Sequence, residues 1–136
     1  MLLGRPLASA LLLASIAVGA MQSPATAAPS CADDKRVVRA CIKLHGKMYV
    51  PANMRTEIQP LDGSKHIYAI HILEPGGGPA DFDPPLPDNA MKLLDPDHDV
   101  YGDFTVCPFT HDVPGHLQIG CVDNAQRLVI RKHSNL

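Results

Sequence analysis

The sequence predicts an all-β domain with one short helix, on three observations. Apolar and polar side chains alternate over residues 37–50, and a period of two marks a strand with one buried face. Short runs rich in Ile, Val, Tyr and Phe recur between clusters of Gly, Pro and Asp, as strands do between turns. Only Asp88–Leu94 offers a helix start, Asp88 or Asn89 as cap, with Pro96 as the stop.

The elements follow in order. In the first strand Val38, Ala40, Ile42, Leu44, Gly46, Met48 and Val50 share one face, and Arg39, Cys41, Lys43, His45, Lys47 and Tyr49 share the other. It exceeds the usual strand length, and Gly46 inside it is a place to bend, a device of small closed barrels. Met54–Leu61 is a second strand, ended by Pro60 and the Asp62-Gly63 turn. His66–Leu73 is a third; His66 and His71 have opposite parity and face apart. Residues 75–87, rich in Pro and Gly, read as a long surface loop. Tyr101–Phe109 and Leu117–Val122 are the fourth and fifth strands, joined at the Pro114-Gly115 turn. Asp123-Asn124-Ala125-Gln126 reads as a further turn, after which Leu128–Lys132 extends the fifth strand or adds a sixth. Three strands, a loop with a short helix, then a hairpin is the element order of an OB-like Greek-key barrel of five to six strands.

Residues 1–28 stand apart. Arg5 is their only charge, Leu7–Val18 is an apolar run, and Ala25-Thr26-Ala27-Ala28 supplies small residues for cleavage after Ala27 or Ala28. This is the layout of a cleaved secretory signal peptide. The run is too short for the roughly 20 residues of a spanning helix. Acylation at Cys31, the lipoprotein alternative, lacks the aliphatic residue expected three positions upstream. Residues 29–136 then form a single domain, with 11 basic against 14 acidic residues, in the periplasm or outside the cell. Without a basic surplus the chain is no dedicated nucleic-acid binder.

All four cysteines, Cys31, Cys41, Cys107 and Cys121, lie in this domain. An even count in an exported chain reads as two disulfides. A hairpin centred on Pro114 sets Cys107 opposite Cys121, within disulfide reach. That predicts Cys107–Cys121 and, by subtraction, Cys31–Cys41. The alternative is Cys41–Cys107, because first and fourth strands are neighbours in an OB barrel.

The run Tyr101-Gly-Asp-Phe-Thr-Val-Cys-Pro-Phe-Thr110, with Asp112-Val-Pro-Gly115, Cys121-Val-Asp123, Leu128-Val-Ile-Arg131 and the earlier Cys41-Ile-Lys-Leu-His-Gly46, resembles a pattern in small exported bacterial proteins of unknown function. The resemblance implies export, a compact β-rich domain and disulfides, and it implies no activity.

Candidate sites are few. Asp97, Asp99 and Asp103 form an acidic run that resembles a calcium loop, but Val100 stands where an EF-hand needs Gly and Val106 where it needs Glu. Turn capping is the plainer reading. His111, Asp112 and His116 sit together on the hairpin loop and offer ligands to Zn²⁺ or Cu²⁺. No serine lies in a G-x-S-x-G elbow, oxidised cysteines supply no thiolate, and Gly76-Gly77-Gly78 lacks the Lys-Ser/Thr of a phosphate loop. No cofactor is implied. Arg39, Lys43, His45, Lys47 and Tyr49 make a modest basic stripe on the wet face of the first strand, suited to an envelope protein or an anionic polymer. The expectation is an exported, non-enzymatic binding module that uses this stripe and the 75–87 loop, with metal binding as the alternative.

Overall fold

The computed structural model describes residues 30–74 and 78–133; the signal peptide expected over residues 1–28 lies outside them. Five strands are present: β1 (Ile42–Tyr49), β2 (Glu57–Pro60), β3 (Tyr68–Ile70), β4 (His98–Pro108) and β5 (Gln118–Lys132). A one-turn helix α1 (Asp88–Met91) precedes β4. The strands close into a barrel in the order β1-β2-β3-β5-β4, with β3 and β5 parallel and the other pairs antiparallel. This is the OB-like order.

β1 obeys the predicted parity from Ile42 onward. Gly46 and Met48 are buried and Ile42 and Leu44 half-buried, while Lys43 and His45 are exposed. Its length serves two neighbours: β4 pairs with Ile42–Met48, but β2 pairs only with Gly46–Tyr49. At Gly46, where β2 joins, a Cβ would stand 2.9 Å from the Gln59 carbonyl oxygen and 2.8 Å from Leu44 Cδ1. The strands approach there more closely than a side chain permits.

The predicted start of β1 is corrected. Residues 30–41 form a strap outside the barrel, and Val38, Arg39 and Ala40 are exposed. β4 ends at Pro108, which has no N–H to continue a ladder; its carbonyl accepts one last bond from Val38 N–H at 2.9 Å. The strap begins at Ser30, whose hydroxyl donates to Asp123 Oδ1 at 2.7 Å; the same oxygen accepts Ala32 N–H at 3.0 Å.

The Asp123–Gln126 turn is also corrected: these residues continue β5. Register shifts fall where Thr105 pairs with Asn124 but Val106 with Val122, and where Asp103 pairs with Gln126 but Tyr101 with Val129. Each inserts an extra residue into β5, a β-bulge. Arg127 in the second has φ +53°. Asx-rich sequence that favours a turn also favours the left-handed backbone of a bulge. Beyond Gly120, β5 has β4 as its only strand neighbour among the described residues, and Val129 and Ile130 near its end are exposed.

Met48, Ile58, Tyr68, Ile70, Val100, Phe104, Val106 and Val122 fill the barrel. Phe82 and Leu86, with Ala90 of α1, join them, so the described part of the expected loop, residues 78–87, is no mere surface loop: Phe82 and Leu86 plug the core. α1 has no side-chain cap; Asn89 instead donates to the Ala125 carbonyl at 2.6 Å. At the Pro114-Gly115 turn, Gly115 has φ +81° and His116 N–H reaches the Val113 carbonyl at 3.0 Å, as a type II turn requires.

The disulfides are Cys31–Cys121 and Cys41–Cys107, with Cα–Cα distances of 6.0 and 4.1 Å. The expected hairpin register is present, since Cys107 and Cys121 are ladder partners. The expected pairing is corrected, because the strap carries Cys31 and Cys41 over that position and each takes one of the two. The alternative, Cys41–Cys107, is the bond formed. Two disulfides fit an oxidising compartment, and no helix among the described residues is long and apolar enough to cross a membrane.

Candidate functional site

A cavity of about 610 Å³ opens where β2 stops short of the first half of β1. Its apolar side is Ile42, Leu44, Pro60, Leu61 and the Tyr68 ring; its polar side is Lys43, His45, Asp62, Ser64, His66 and Asp112. The backbone along this gap is distinctive. His45 carbonyl accepts the Leu61 N–H at 2.9 Å, so residue 45 points its peptide groups toward β2. Alternation along the strand then points the N–H and carbonyl of Lys43 the same way, past the end of β2. Among the described residues, β1 thus presents a short free edge to the cavity.

The polar end is built on Gln118, which is fully buried. Its Nε2 donates to the Thr110 carbonyl at 2.8 Å. That fixes Oε1 as the atom facing His66 Nε2, 2.9 Å away, and Arg39 Nη2, 3.4 Å away. His66 therefore carries its proton on Nε2 and turns Nδ1 toward Asp112 Oδ1 at 3.5 Å. The His66 ring also packs on Tyr68, with centroids 4.4 Å apart. Burial raises the Tyr68 hydroxyl's pKa, and the charge of nearby Arg39 opposes that rise. At the rim the Ser64 hydroxyl and N–H hold the Asp62 carboxyl below the usual range.

The structure regroups the residues singled out from sequence. Lys43, His45 and Asp112 line the cavity, and Arg39, although off β1, reaches its Gln118 anchor. Lys47 and Tyr49 belong elsewhere. Lys47 Nζ lies 4.8 Å above the Tyr49 ring and 3.9 Å from the buried Asp99. Tyr49 donates to Glu57 at 2.8 Å, and burial first, then this carboxylate, raises its pKa. Asp99 also meets His133 Nδ1 at 2.8 Å. Asp103 is held by Arg127 and then by His45, which together lower its pKa. The basic stripe is thus interleaved with acids of β4 rather than continuous in charge.

The acidic run is dispersed as well. Asp97 sits in a turn where Asp95 Oδ1 accepts its N–H at 2.6 Å, so Asp95 is the capping carboxylate, while Asp99 and Asp103 lie on β4 rather than in a turn. Asp99 and Asp103 are four residues apart on a strand, about 13 Å. His111 and His116 are exposed on the hairpin loop and do not line the cavity with Asp112. Among the described residues, one group of three His, Cys, Asp or Glu donors lies within 4.8 Å of one another: Cys31, Cys107 and Cys121, all in disulfides. Sequence reasoning missed His66, Tyr68 and Gln118 as site residues. Only the position of Gln118 at the foot of the fifth strand, a polar residue opening an apolar run, hinted at a buried partner. No family model matches the chain, and no curated protein or solved structure is significantly similar to it.

Proposed function

We propose that this is an exported, disulfide-stapled binding module that receives an extended polypeptide segment of a partner protein in the cleft between β1 and the β2–β3 loop. The free edge at Lys43, facing an open cavity, is the observation that carries this reading. An extended segment satisfies such an edge through its own backbone, and side-chain pockets select its sequence. The cleft has the matching chemistry. Ile42, Leu44 and Leu61 take apolar side chains, while Lys43, His66 and Asp112 offer both signs of charge to polar ones. Leu61 in its lining is exposed, as are Val113 and Leu117 on the hairpin loop that carries Asp112.

The test is selection of a displayed random-peptide library on the purified domain. Enriched sequences should alternate apolar and polar residues. They should bind at least about tenfold more weakly to Lys43→Pro, which removes the edge N–H without touching the β4 ladder, and to Leu61→Asp. No enrichment, or equal binding to wild type and both variants, overturns the reading.

One observation favours a second reading, binding of Zn²⁺ or Cu²⁺. His66 has Nε2 committed to a buried carbonyl and Nδ1 aimed at a carboxylate, the orientation a ligating histidine adopts. Metal titration with His66→Gln as control decides it; the same weak binding in both removes this reading.

A further inference from the structure

The four cysteines do more than tie the strap down. Sγ atoms of Cys31, Cys107 and Cys121 lie within 4.8 Å of one another, although Cys107 belongs to one disulfide and the other two to the second. Cys107 and Cys121 are ladder partners, the arrangement that a cross-strand disulfide needs. Cys31, Cys107 and Cys121 are buried, whereas Cys41 is half-buried. Cys41 is therefore the one cysteine of the set with part of its surface toward solvent, and its bonded partner Cys107 borders the second bridge.

We propose that this cluster is a thiol–disulfide exchange site, entered at Cys41 by a small-molecule thiolate, that switches the pairing to Cys31–Cys41 plus Cys107–Cys121 and thereby unlocks the strap from the barrel. The chemistry balances without a net oxidant. The thiolate attacks Cys41 Sγ, forming a mixed disulfide and breaking Cys41–Cys107, and the electron pair leaves on Cys107. The Cys107 thiolate attacks Cys121 Sγ, forming Cys107–Cys121 and breaking Cys31–Cys121, and the pair leaves on Cys31. The Cys31 thiolate then attacks Cys41 Sγ, closing a bond between strap residues only ten apart and returning the small thiolate. Such exchange proceeds by thiolate attack through mixed disulfides.

The switch has a structural consequence. In the described pairing both bridges join strap to barrel. In the exchanged pairing none does, and apart from its peptide link to β1 at Ile42 the strap keeps only non-covalent ties. These include Arg36 over the Phe109 ring at 4.6 Å, Arg36 with Asp83 at 3.0 Å, and Arg39 with Gln118. The face covered by Val37 and Cys41, over Cys107, Cys121 and Phe109, becomes available.

Two measurements test this. In C41S the Cys107 thiol is left beside the intact bridge. Acid quench and alkylation should find label shared between Cys31 and Cys107, with Cys107–Cys121 in the fraction labelled at Cys31; label confined to Cys107 overturns the proposal. In wild type, substoichiometric reduced glutathione followed by quench and non-reducing peptide mapping should show Cys31–Cys41 appearing together with Cys107–Cys121. No Lys or Arg lies between Cys107 and Cys121, so trypsin needs chymotrypsin beside it to separate them. Persistence of the two original bridges overturns the proposal, and this arm stands alone if C41S does not fold.

Discussion

Cys107 and Cys121 face each other across the β4–β5 ladder, yet each is bonded to a cysteine of the strap. The two bridges therefore close long loops, with sequence separations of 66 and 90. The loops are nested, so with one bridge intact the other closes a path of only about 24 residues, and loop-closure entropy gives each a contribution of about 3–4 kcal/mol when removed singly. C41S/C107S and C31S/C121S should each lower the unfolding free energy by up to that amount, measured by guanidinium denaturation. A loss of about 1 kcal/mol or less in both would show that the unfolded chain is already compact.

Gly46 is where β1 acquires its second neighbour. Gly46→Ala brings a Cβ against the Gln59 carbonyl, which is backbone and yields little. The expected cost is about 1–3 kcal/mol, read as a lower denaturation midpoint. A neutral outcome would mean that β1 and β2 can part there without loss.

Arg127 occupies the left-handed region at the second bulge, a conformation an L side chain resists and glycine does not. Its pairing with Asp103 is at the exposed surface and holds little stability. Arg127→Gly should therefore raise the melting midpoint, by roughly 2–5 °C, whereas Arg127→Val should lower it. A fall on substitution by glycine would show that the ion pair outweighs the backbone strain.

Asp34 is held to a pKa of about 2, from 3.8, chiefly by the Arg36 side chain and then by the Arg36 N–H. A folded-state value below the unfolded one gives stability that is full above about pH 4 and is lost as pH falls toward 2. Asp34→Asn should remove this part of the acid dependence. Melting midpoints between pH 5 and 2 should fall less steeply in the variant; parallel curves would contradict the assignment.

Local pattern revealed the elements whose information is local. The parity of Ile42–Tyr49, the Pro114-Gly115 turn and the register that sets Cys107 against Cys121 all follow from spacing of two and from turn chemistry. The barrel's strand order followed from element order. What escaped was decided at a distance. Which sulfur bonds to which depends on where residues 30–41 travel, and nothing in that stretch encodes its path over Pro108. Phe82 and Leu86 lie among prolines, so no period marks them as core. The cleft draws on β1, the β2–β3 loop and the hairpin loop at once. Lys43, His45 and Asp112 could be noticed singly, but Gln118 gains its meaning only when His66, Arg39 and Thr110 converge on it.

Past the Asn89 contact at Ala125, the end of β5 has β4 as its strand neighbour among the described residues, a template on which another chain could add itself, and Val129 and Ile130 make it a sticky one. Its flanks are cationic: Arg127, Arg131 and Lys132 would meet their own kind in any self-addition, so like-charge repulsion guards this lip of the barrel. Neutralising Arg127, Arg131 and Lys132 together should therefore favour edge-to-edge association of the domain, read as a larger mass by light scattering, before it disturbs the core.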